Sequence, residues 1–482
     1  MKPFASTALL ILLLVVLPTP IFSQSTDSIR YQRDAAYWDR FEKEVDNFVN
    51  NALNGFSNGE EPKPVVSVDT THVEIWDSKY ERTYSWADWN HAHKIVGYSV
   101  PKYVPWIPEN MIEKHVMLRY NRVESLFLGL GSEKKYYWEG GKAFNPFGSV
   151  GYGFGSHRWA ADLGLSRQIA IGSWDREQLI EIGVEGYTVT DSKDQWRISS
   201  LENSLASFFI HEDFRDYYWK EGGALHTAYL VRDDALFGEV RVAYQVDRYR
   251  SMDNSADWAL FGGHKSFRDN PQINEGMMRS IAALAGISTA SKNRHGLEGW
   301  NVHATAEFAG AGLGGDFRFE QYLLDIRRYQ PLGHHDNINV RLRAGTAHGT
   351  LPLQKSYQIG GVGTLPAYSF NEFPGDTLGA NRMLLMNAEY ILNGDFLGDL
   401  DFWPSFILKH VNLIVVADAG LVRTASSATS PFSGFGGIKW NEFRSDLGFG
   451  ISNRSGSCRI GWVWRTDRDE PATLLLRVEA PF

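Results

Sequence analysis

The chain has 482 residues, of which 43% are hydrophobic and 22% charged, with a net charge of −9 and an isoelectric point near 5.9. This acidic balance argues against a nucleic-acid partner, because proteins that bind nucleic acids usually carry a basic surface. The one cysteine, Cys458, excludes an internal disulfide framework and a metal site made of cysteines alone.

The first 23 residues have the layout of a secretory signal peptide. Lys2 supplies a positive charge, residues 8–17 form an apolar core, and two prolines follow before Ser23. The core is too short to cross a membrane as a helix, and no later apolar run approaches the roughly 20 residues that such a helix needs. We therefore predict export with cleavage near Ser23. Two classes remain: a soluble periplasmic or extracellular protein, or an outer-membrane β-barrel.

Residues 24–115 are predicted to form a short periplasmic region that combines a helix with short strands. The helix is expected within residues 31–53, where five apolar residues recur on one face: Trp38, Phe41, Val45, Phe48 and Val49. The rest of the region mixes strand-like pieces with prolines, and its fold is not readable from the sequence.

From residue 116 to residue 482, short alternating segments recur between turn residues. In the segment 239–249, Val240 and Val242 fall on one face and Arg241 falls on the other, and the segments 301–310 and 337–347 alternate in the same way. Alternation with a period of two predicts strands that have one apolar and one polar face.

A soluble β-sandwich would alternate as well, so other features have to decide. Tyr and Trp cluster towards the ends of segments, at 136–138, 216–219 and 462–464, and clear helical patterns are missing over this whole region. Both features favour a membrane barrel with aromatic belts and a polar lumen. At roughly 23 residues per strand and connection, the prediction is an all-β, transmembrane antiparallel barrel of about sixteen strands.

The final ten residues, 473–482, support this prediction. They alternate and end on an aromatic residue, and one face carries Leu474, Leu476, Val478, Ala480 and Phe482. Such an ending resembles the signal by which the bacterial assembly machinery recognises outer-membrane barrels. We therefore expect the outer membrane of a Gram-negative cell as the location, with its lipids as surroundings.

Several stretches, taken in order, resemble the bacterial surface antigen barrels of the BamA/TamA outer-membrane assembly superfamily. They are an opening strand at 118–131, a glycine-rich loop at 357–370 with the strand after it at 379–392, an Asp-x-Gly strand at 415–422, and the closing strands at 445–454 and 473–482. The resemblance implies a role in assembling or translocating outer-membrane proteins or lipids, through a seam between the first and last strands. Unfolded outer-membrane proteins and periplasmic assembly factors would then be partners.

The glycine-rich loop, "YQIGGVGTLPAYSF", carries the most specific part of the resemblance. Its glycines allow positive φ or close backbone approach, and a proline cannot join a central sheet ladder. In the family, the loop folds back into the lumen, and an arginine at its tip meets acidic residues of the wall. The resemblance thus assigns the loop motif to Gly360, Gly361, Gly363, Leu365, Pro366, Ala367 and Tyr368, and the wall partners to Asn387, Glu389, Asp418 and Gly420.

This chain departs from the family at the tip of the loop, where Pro366 stands in the arginine's place. Asp418 is still present, and a carboxylate left without a partner in a dry interior would be costly. Either water solvates Asp418 or another cation reaches it, and we hypothesise a substitute arginine, such as Arg382 or Arg423. The N-terminal region departs as well, since residues 24–115 have room for at most one degenerate POTRA-like module.

Two other functions stay open at this stage. A large barrel with a polar inner face can act as a passive channel or transporter. A barrel-embedded hydrolase is a further alternative, but no Gly-x-Ser-x-Gly elbow is present in a suitable context. The histidine clusters at 91–93 and 334–336 offer too few ligands for a zinc site. We therefore predict a protein that is not an enzyme and has no cofactor.

Overall fold

The computed structural model describes residues 116–478, with gaps at 133, 135–142, 172–176, 234–235, 294–295, 334–335, 375–378, 395, 397–407, 409–410, 427–429, 454–455 and 457. The predicted signal peptide, the predicted periplasmic region, the histidines at 91, 93, 334 and 335, and Ala480 and Phe482 lie outside the described residues. Nothing tests the predicted domain boundaries, which stay predictions.

The described residues form one antiparallel sheet, and sixteen of its strands have six residues or more. The strands are β1 (Val116–Asn121), β2 (Ser125–Ser132), β3 (Phe144–Gly153), β4 (Arg158–Ala170), β5 (Glu177–Ser192), β6 (Tyr217–Arg232), β7 (Phe237–Ser251), β8 (Gly276–Ser288), the three-residue β9 (Ser291–Asn293), β10 (Gly296–Ala309), β11 (Arg318–Pro331), β12 (Asp336–Thr350), β13 (Arg382–Leu392), β14 (Val411–Arg423), β15 (Arg444–Asn453), β16 (Cys458–Arg465) and β17 (Thr473–Val478). This architecture confirms the predicted fold class.

Neighbouring strands in the chain are neighbours in the sheet. Each long strand pairs with the next one, β10 pairs with β8 along most of its length, and β9 pairs with the start of β10. The connections range from short turns to long loops. Three long loops matter for the site: residues 193–216, which we name the helix loop, residues 252–275, and residues 351–381, which we name the glycine loop.

The two faces of the sheet have the polarity of a membrane barrel. In β7, Val242 is 43% exposed while its neighbour Arg241 is 4% exposed, and β12 repeats the pattern with Leu342 exposed and Arg341 buried. Apolar side chains therefore point outwards and charged side chains point inwards, which is the arrangement of a sheet with lipid outside and a polar lumen inside. At the last strand, Leu474 and Leu476 share the outward face and Val478 is half-buried.

The predicted opening strand at 118–131 is wrong in one respect, because it is two strands. A tight turn at residues 122–124 separates β1 from β2, and Asn121 pairs with Ser125 across it. The Asn121 Oδ1 atom accepts hydrogen bonds from the Val123 and Glu124 backbone N–H groups, at 3.0 and 2.7 Å. An asparagine that bonds the backbone two residues onward is a standard turn former.

The expectation that clear helices are missing is also wrong at one place. Helix α1 (Ser200–Ile210) lies within the helix loop, and Ser199 caps it by accepting a hydrogen bond from the Glu202 backbone N–H at 3.1 Å. Three short 3-10 turns occupy Ala311–Leu313, Leu353–Lys355 and Trp440–Glu442. None of the helices among the described residues is long and apolar enough to cross a bilayer.

Candidate functional site

The glycine loop lies against the inner face of the barrel wall. Its backbone forms bridges between Ile359 and Phe373 and between Gly361 and Leu365, which fold the segment back on itself. Ile359 and Leu365 are fully buried and belong to one apolar cluster with inward-facing wall residues: Ala347 of β12, Met383 of β13 and Val463 of β16. The predicted motif is thus a packed internal loop.

The glycines of the motif have a conformational and a steric role. Gly360, Gly361 and Gly363 all have positive φ, at 117°, 82° and 78°. A side chain at Gly363 would also collide with the helix loop, because its Cβ would lie 2.4 Å from the Arg197 carbonyl oxygen. The sequence therefore supplies glycine where the two internal loops touch.

The tip of the glycine loop contacts β15 and the loop after β16. The Ala367 backbone N–H donates to Asp446 Oδ2 at 2.9 Å, and the Tyr368 hydroxyl lies 3.0 Å from the Ser445 carbonyl oxygen and 3.1 Å from Asp467 Oδ1. Burial, helped by the Asp467 carboxylate, raises the pKa of Tyr368 to about 12, so its hydroxyl stays a donor at neutral pH. The Arg465 guanidinium carbon lies 4.2 Å from the centre of the Tyr368 ring.

Two buried carboxyl groups lie side by side behind this tip. Asp418 of β14 and Asp446 of β15 are direct partners in the strand register. The Asn387 side-chain amide donates to Asp418 Oδ1 at 2.7 Å and to the Thr364 carbonyl oxygen at 2.8 Å. Amide groups therefore stand where the family resemblance placed an arginine. Sequence reasoning missed Asp446, although it lies within the stretch 445–454 that carried the resemblance.

The other predicted wall partners have different neighbours. Gly420 of β14 makes room for the loop, since a Cβ there would lie 2.8 Å from Ile359 Cδ1. Glu389 of β13 accepts a hydrogen bond from Arg459 Nη1 at 2.6 Å and is not part of the contact with the tip. The structure thus brings Asn387, Asp418 and Gly420 to the loop and leaves Glu389 in an ion pair on the wall.

The hypothesis that Arg382 or Arg423 reaches Asp418 is wrong. Arg382 donates to carbonyl oxygens of the β14–β15 loop, among them Ser433 at 2.8 Å. Arg423 pairs with Glu442. Both arginines therefore hold an outer loop in place and leave the acidic pair to its amide donors.

A different arginine holds the glycine loop. Arg197 of the helix loop donates from Nη1 to Asn371 Oδ1 at 2.7 Å, and its Nη2 atom donates to the Gln358 carbonyl oxygen. Asn371 in turn donates to Asp216 Oδ2 at 2.9 Å. These contacts interlock the helix loop with the glycine loop. No local motif marks Arg197 in the sequence, because the contact joins residues more than 150 positions apart.

The helix loop also covers the turn between β1 and β2. Arg122 is fully buried in that turn, and its Nη2 atom donates to Asp216 Oδ1 at 3.2 Å and to Asn270 Oδ1 at 3.0 Å. Its backbone N–H donates to Asp213 Oδ2 at 3.1 Å. The beginning of the barrel is therefore tied to both the helix loop and the loop at 252–275.

Comparison with protein families agrees with the resemblance. Residues 238–461 match the Omp85 superfamily domain. Solved structures that are similar include BamA from Haemophilus ducreyi lacking POTRA domains 1–3, at 13% identity over 74% of this chain and 67% of that chain, with a TM-score of 0.44. They also include CdiB from Acinetobacter baumannii, at 10% identity over 74% of this chain and 57% of that one, with a TM-score of 0.35.

CdiB from Escherichia coli is similar too, at 12% identity over 75% of this chain and 60% of that chain, with a TM-score of 0.37. The chain thus spans less than two thirds of either CdiB chain. No curated protein matches it in sequence. The match over residues 238–461, which runs from β7 into β16, confirms the predicted resemblance, because this part of the chain is similar to the Omp85 superfamily domain.

Proposed function

We propose that the protein takes part in the assembly or translocation of outer-membrane proteins or lipids, through the seam between β1 and β17. The match of residues 238–461 to the Omp85 superfamily domain supports the general role. Unfolded outer-membrane proteins would be clients, and outer-membrane lipids and periplasmic assembly factors would be partners. In this proposal the protein acts by binding and guiding strands.

The observation that carries the proposal is that the strand ladder has two ends. Registered pairs run from β1 with β2 to β16 with β17, and no register among the described residues joins β17 to β1. The edge of a sheet offers unpaired N–H and C=O groups to another strand. An incoming strand can therefore add to such an edge by β-augmentation.

The glycine loop supports the wall next to this seam. It contacts β13, β15 and β16 through Met383, Asp446 and Val463. We infer that the loop keeps these strands in place while β17 moves, because a packed apolar cluster resists deformation. The absence of the tip arginine changes how the loop is held, since Arg197 and the amide donors hold it here.

A reconstitution tests the proposal. The purified protein is inserted into liposomes, and the folding rate of an unfolded barrel client is compared with the rate in empty liposomes. We expect a clear acceleration that is lost when Leu118→Cys on β1 and Leu476→Cys on β17 are joined by a bismaleimide in a Cys458→Ser background. A matched control joins Val184→Cys and Leu225→Cys, which are register partners on β5 and β6.

Absence of acceleration would overturn the assembly role and favour the passive channel, which bilayer conductance then measures. The packed glycine loop counts against a wide channel, because it occupies part of the lumen. A lipase assay on the same preparation tests the hydrolase alternative.

A further inference from the structure

Helix α1 lies at both ends of the strand ladder. On one side, the Tyr120 backbone N–H of β1 donates to Ser204 Oγ at 3.1 Å. On the other side, the Val478 backbone N–H of β17 donates to Glu202 Oε1 at 3.2 Å. Two side chains on a single helix turn therefore occupy one backbone donor on each edge strand, at the positions that a neighbouring strand would otherwise use.

The side chains of the edge strands contact the helix as well. Arg477 of β17 donates from Nε to Glu202 Oε1 at 2.7 Å. The Tyr120 ring of β1 packs edge-on against Phe208, with ring centroids 5.6 Å apart. The helix is thus joined to the last strand by an ion pair near its beginning and to the first strand by an aromatic contact near its end.

The polarity of α1 is the reverse of that of a surface helix on a soluble protein. Its polar residues Glu202, Asn203 and Ser207 are buried, whereas Phe209 and Ile210 are 37% and 44% exposed. A helix of a soluble protein buries its apolar face and exposes its polar face. The strands that α1 contacts also expose apolar side chains, since Leu118 of β1 and Leu126 and Leu128 of β2 are all exposed. This arrangement suits a helix that has lipid on one side and the lumen on the other.

We propose that α1 is a displaceable part of the barrel wall, which covers the edges of β1 and β17 and has to leave before an incoming strand can pair with either edge. This inference rests on the proposed assembly function. The partner that replaces α1 is an extended apolar–polar alternating strand, because such a strand supplies backbone acceptors for the same N–H donors and an outward apolar face.

Most of the hydrogen bonds that hold α1 go to elements other than the edge strands. The Asn203 amide donates to Asp213 Oδ1 of the helix loop at 3.0 Å and to the Tyr217 hydroxyl of β6 at 2.9 Å, and the Phe208 and Phe209 carbonyl oxygens accept from the loop at 252–275. The helix ends at His211, which has a positive φ of 58°. Few contacts thus bind α1 to the edge strands, whereas a full ladder between two six-residue strands would contain several backbone hydrogen bonds.

The test measures how often α1 leaves the wall. A reporter cysteine replaces the fully buried Ser207 in a Cys458→Ser background, and a membrane-impermeant maleimide labels it in the full-length protein in liposomes. We expect the variant Glu202→Gln with Ser204→Ala to speed labelling by about tenfold or more. It removes the charge from the acceptor of the Arg477 and Val478 hydrogen bonds, and it removes the acceptor of the Tyr120 hydrogen bond. If the double variant does not fold, Ser204→Ala alone is tested, and its labelling should also be faster than that of the parent.

The control variant is Glu212→Gln, which removes an exposed ion pair with Lys265 in the neighbouring segment and leaves both strand edges untouched. Its labelling rate should equal that of the parent. A synthetic peptide of residues 470–482, added in excess, should speed labelling in the parent, because it is an alternating strand that competes for the edges.

The outcomes separate the two proposals. Equal labelling of the parent and the edge variants, with no effect of the peptide, overturns the role of α1 even if client folding is accelerated. Faster labelling in the edge variants and with the peptide supports it, and client folding then decides the assembly function independently.

Discussion

At the scale of single residues, the unusual feature is an acidic pair that faces amides. Asp418 and Asp446 are adjacent and buried, and their donors are the Asn387 amide and the Ala367 backbone N–H. Two neighbouring carboxyl groups repel each other when both are charged, and a guanidinium would relieve that repulsion. Pro366 precedes Ala367, so it lies next to this pair.

We therefore predict that Pro366→Arg stabilises the protein. The new guanidinium should pair with the acidic residues and raise the free energy of unfolding by roughly 1.5–3 kcal/mol, as charged hydrogen bonds do. Guanidinium chloride unfolding in lipid vesicles measures the effect, with Pro366→Gln as an uncharged control. A gain that persists when Asp418 and Asp446 are both changed to asparagine would contradict this explanation.

One of these two acids was predictable and the other was not. Asp418 belongs to an Asp-x-Gly motif that the family resemblance marks. Asp446 has no such motif, and its position beside Asp418 follows only from the register of β15 against β14. A shift of two residues would keep Asp446 on the inward face but separate it from Asp418, and alternation alone does not distinguish these two registers.

At the scale of elements, the two internal loops hold each other. The glycine loop contributes the space at Gly363, and the helix loop fills it with the backbone of Arg197. The fit requires a residue that has no Cβ and accepts a positive φ, and glycine meets both requirements at little cost.

We predict that Gly363→Ala loosens the glycine loop. The strained φ and the close contact should lower the free energy of unfolding by about 1–3 kcal/mol, and limited proteolysis should cut within residues 357–374 sooner than in the parent. Gly310→Ala is the control, because a Cβ there meets nothing within 4 Å. Equal sensitivity of the two variants would show that the close contact does not hold the loop.

The sequence contained local signals for the two elements that were not predicted. Ser199 and Glu202 stand three residues apart ahead of an apolar run, which is the usual beginning of a helix, and α1 begins there. Asn121 marks the turn between β1 and β2. Both signals are short, and they lie within a long region where alternation is the dominant pattern.

At the scale of the whole molecule, alternation predicted the barrel well because lipid imposes it on nearly every strand. The outward residues must be apolar and the inward residues are free to be polar, so the pattern persists over sixteen strands. No such periodic pattern applies to the loops inside the lumen, because their positions depend on contacts between residues that are distant in the sequence. The interlocked loops were therefore out of reach of sequence patterns, apart from the glycine motif that resemblance supplied.

The membrane position of the wall leads to a depth-dependent prediction. Leu225 lies midway along β6 on the outward face, and Ile171 directly follows the end of β4 and is also exposed. Leu225→Arg should destabilise the inserted protein by about 2–4 kcal/mol, and Ile171→Arg by about 0–1 kcal/mol. Unfolding of both variants in vesicles measures the difference. Equal costs would place the bilayer elsewhere on the barrel.

The buried turn at Arg122 has a consequence for the order of folding. Its partners Asp213, Asp216 and Asn270 lie 91 to 148 residues further along the chain. Contacts over such separations form late, because the loops between them have to be closed first. The first strand of the barrel, β1, is therefore held in its final position only after β5, β6 and β7 have paired. Until then the edge of β1 stays free, so the barrel has to complete its own last contacts before that edge is protected.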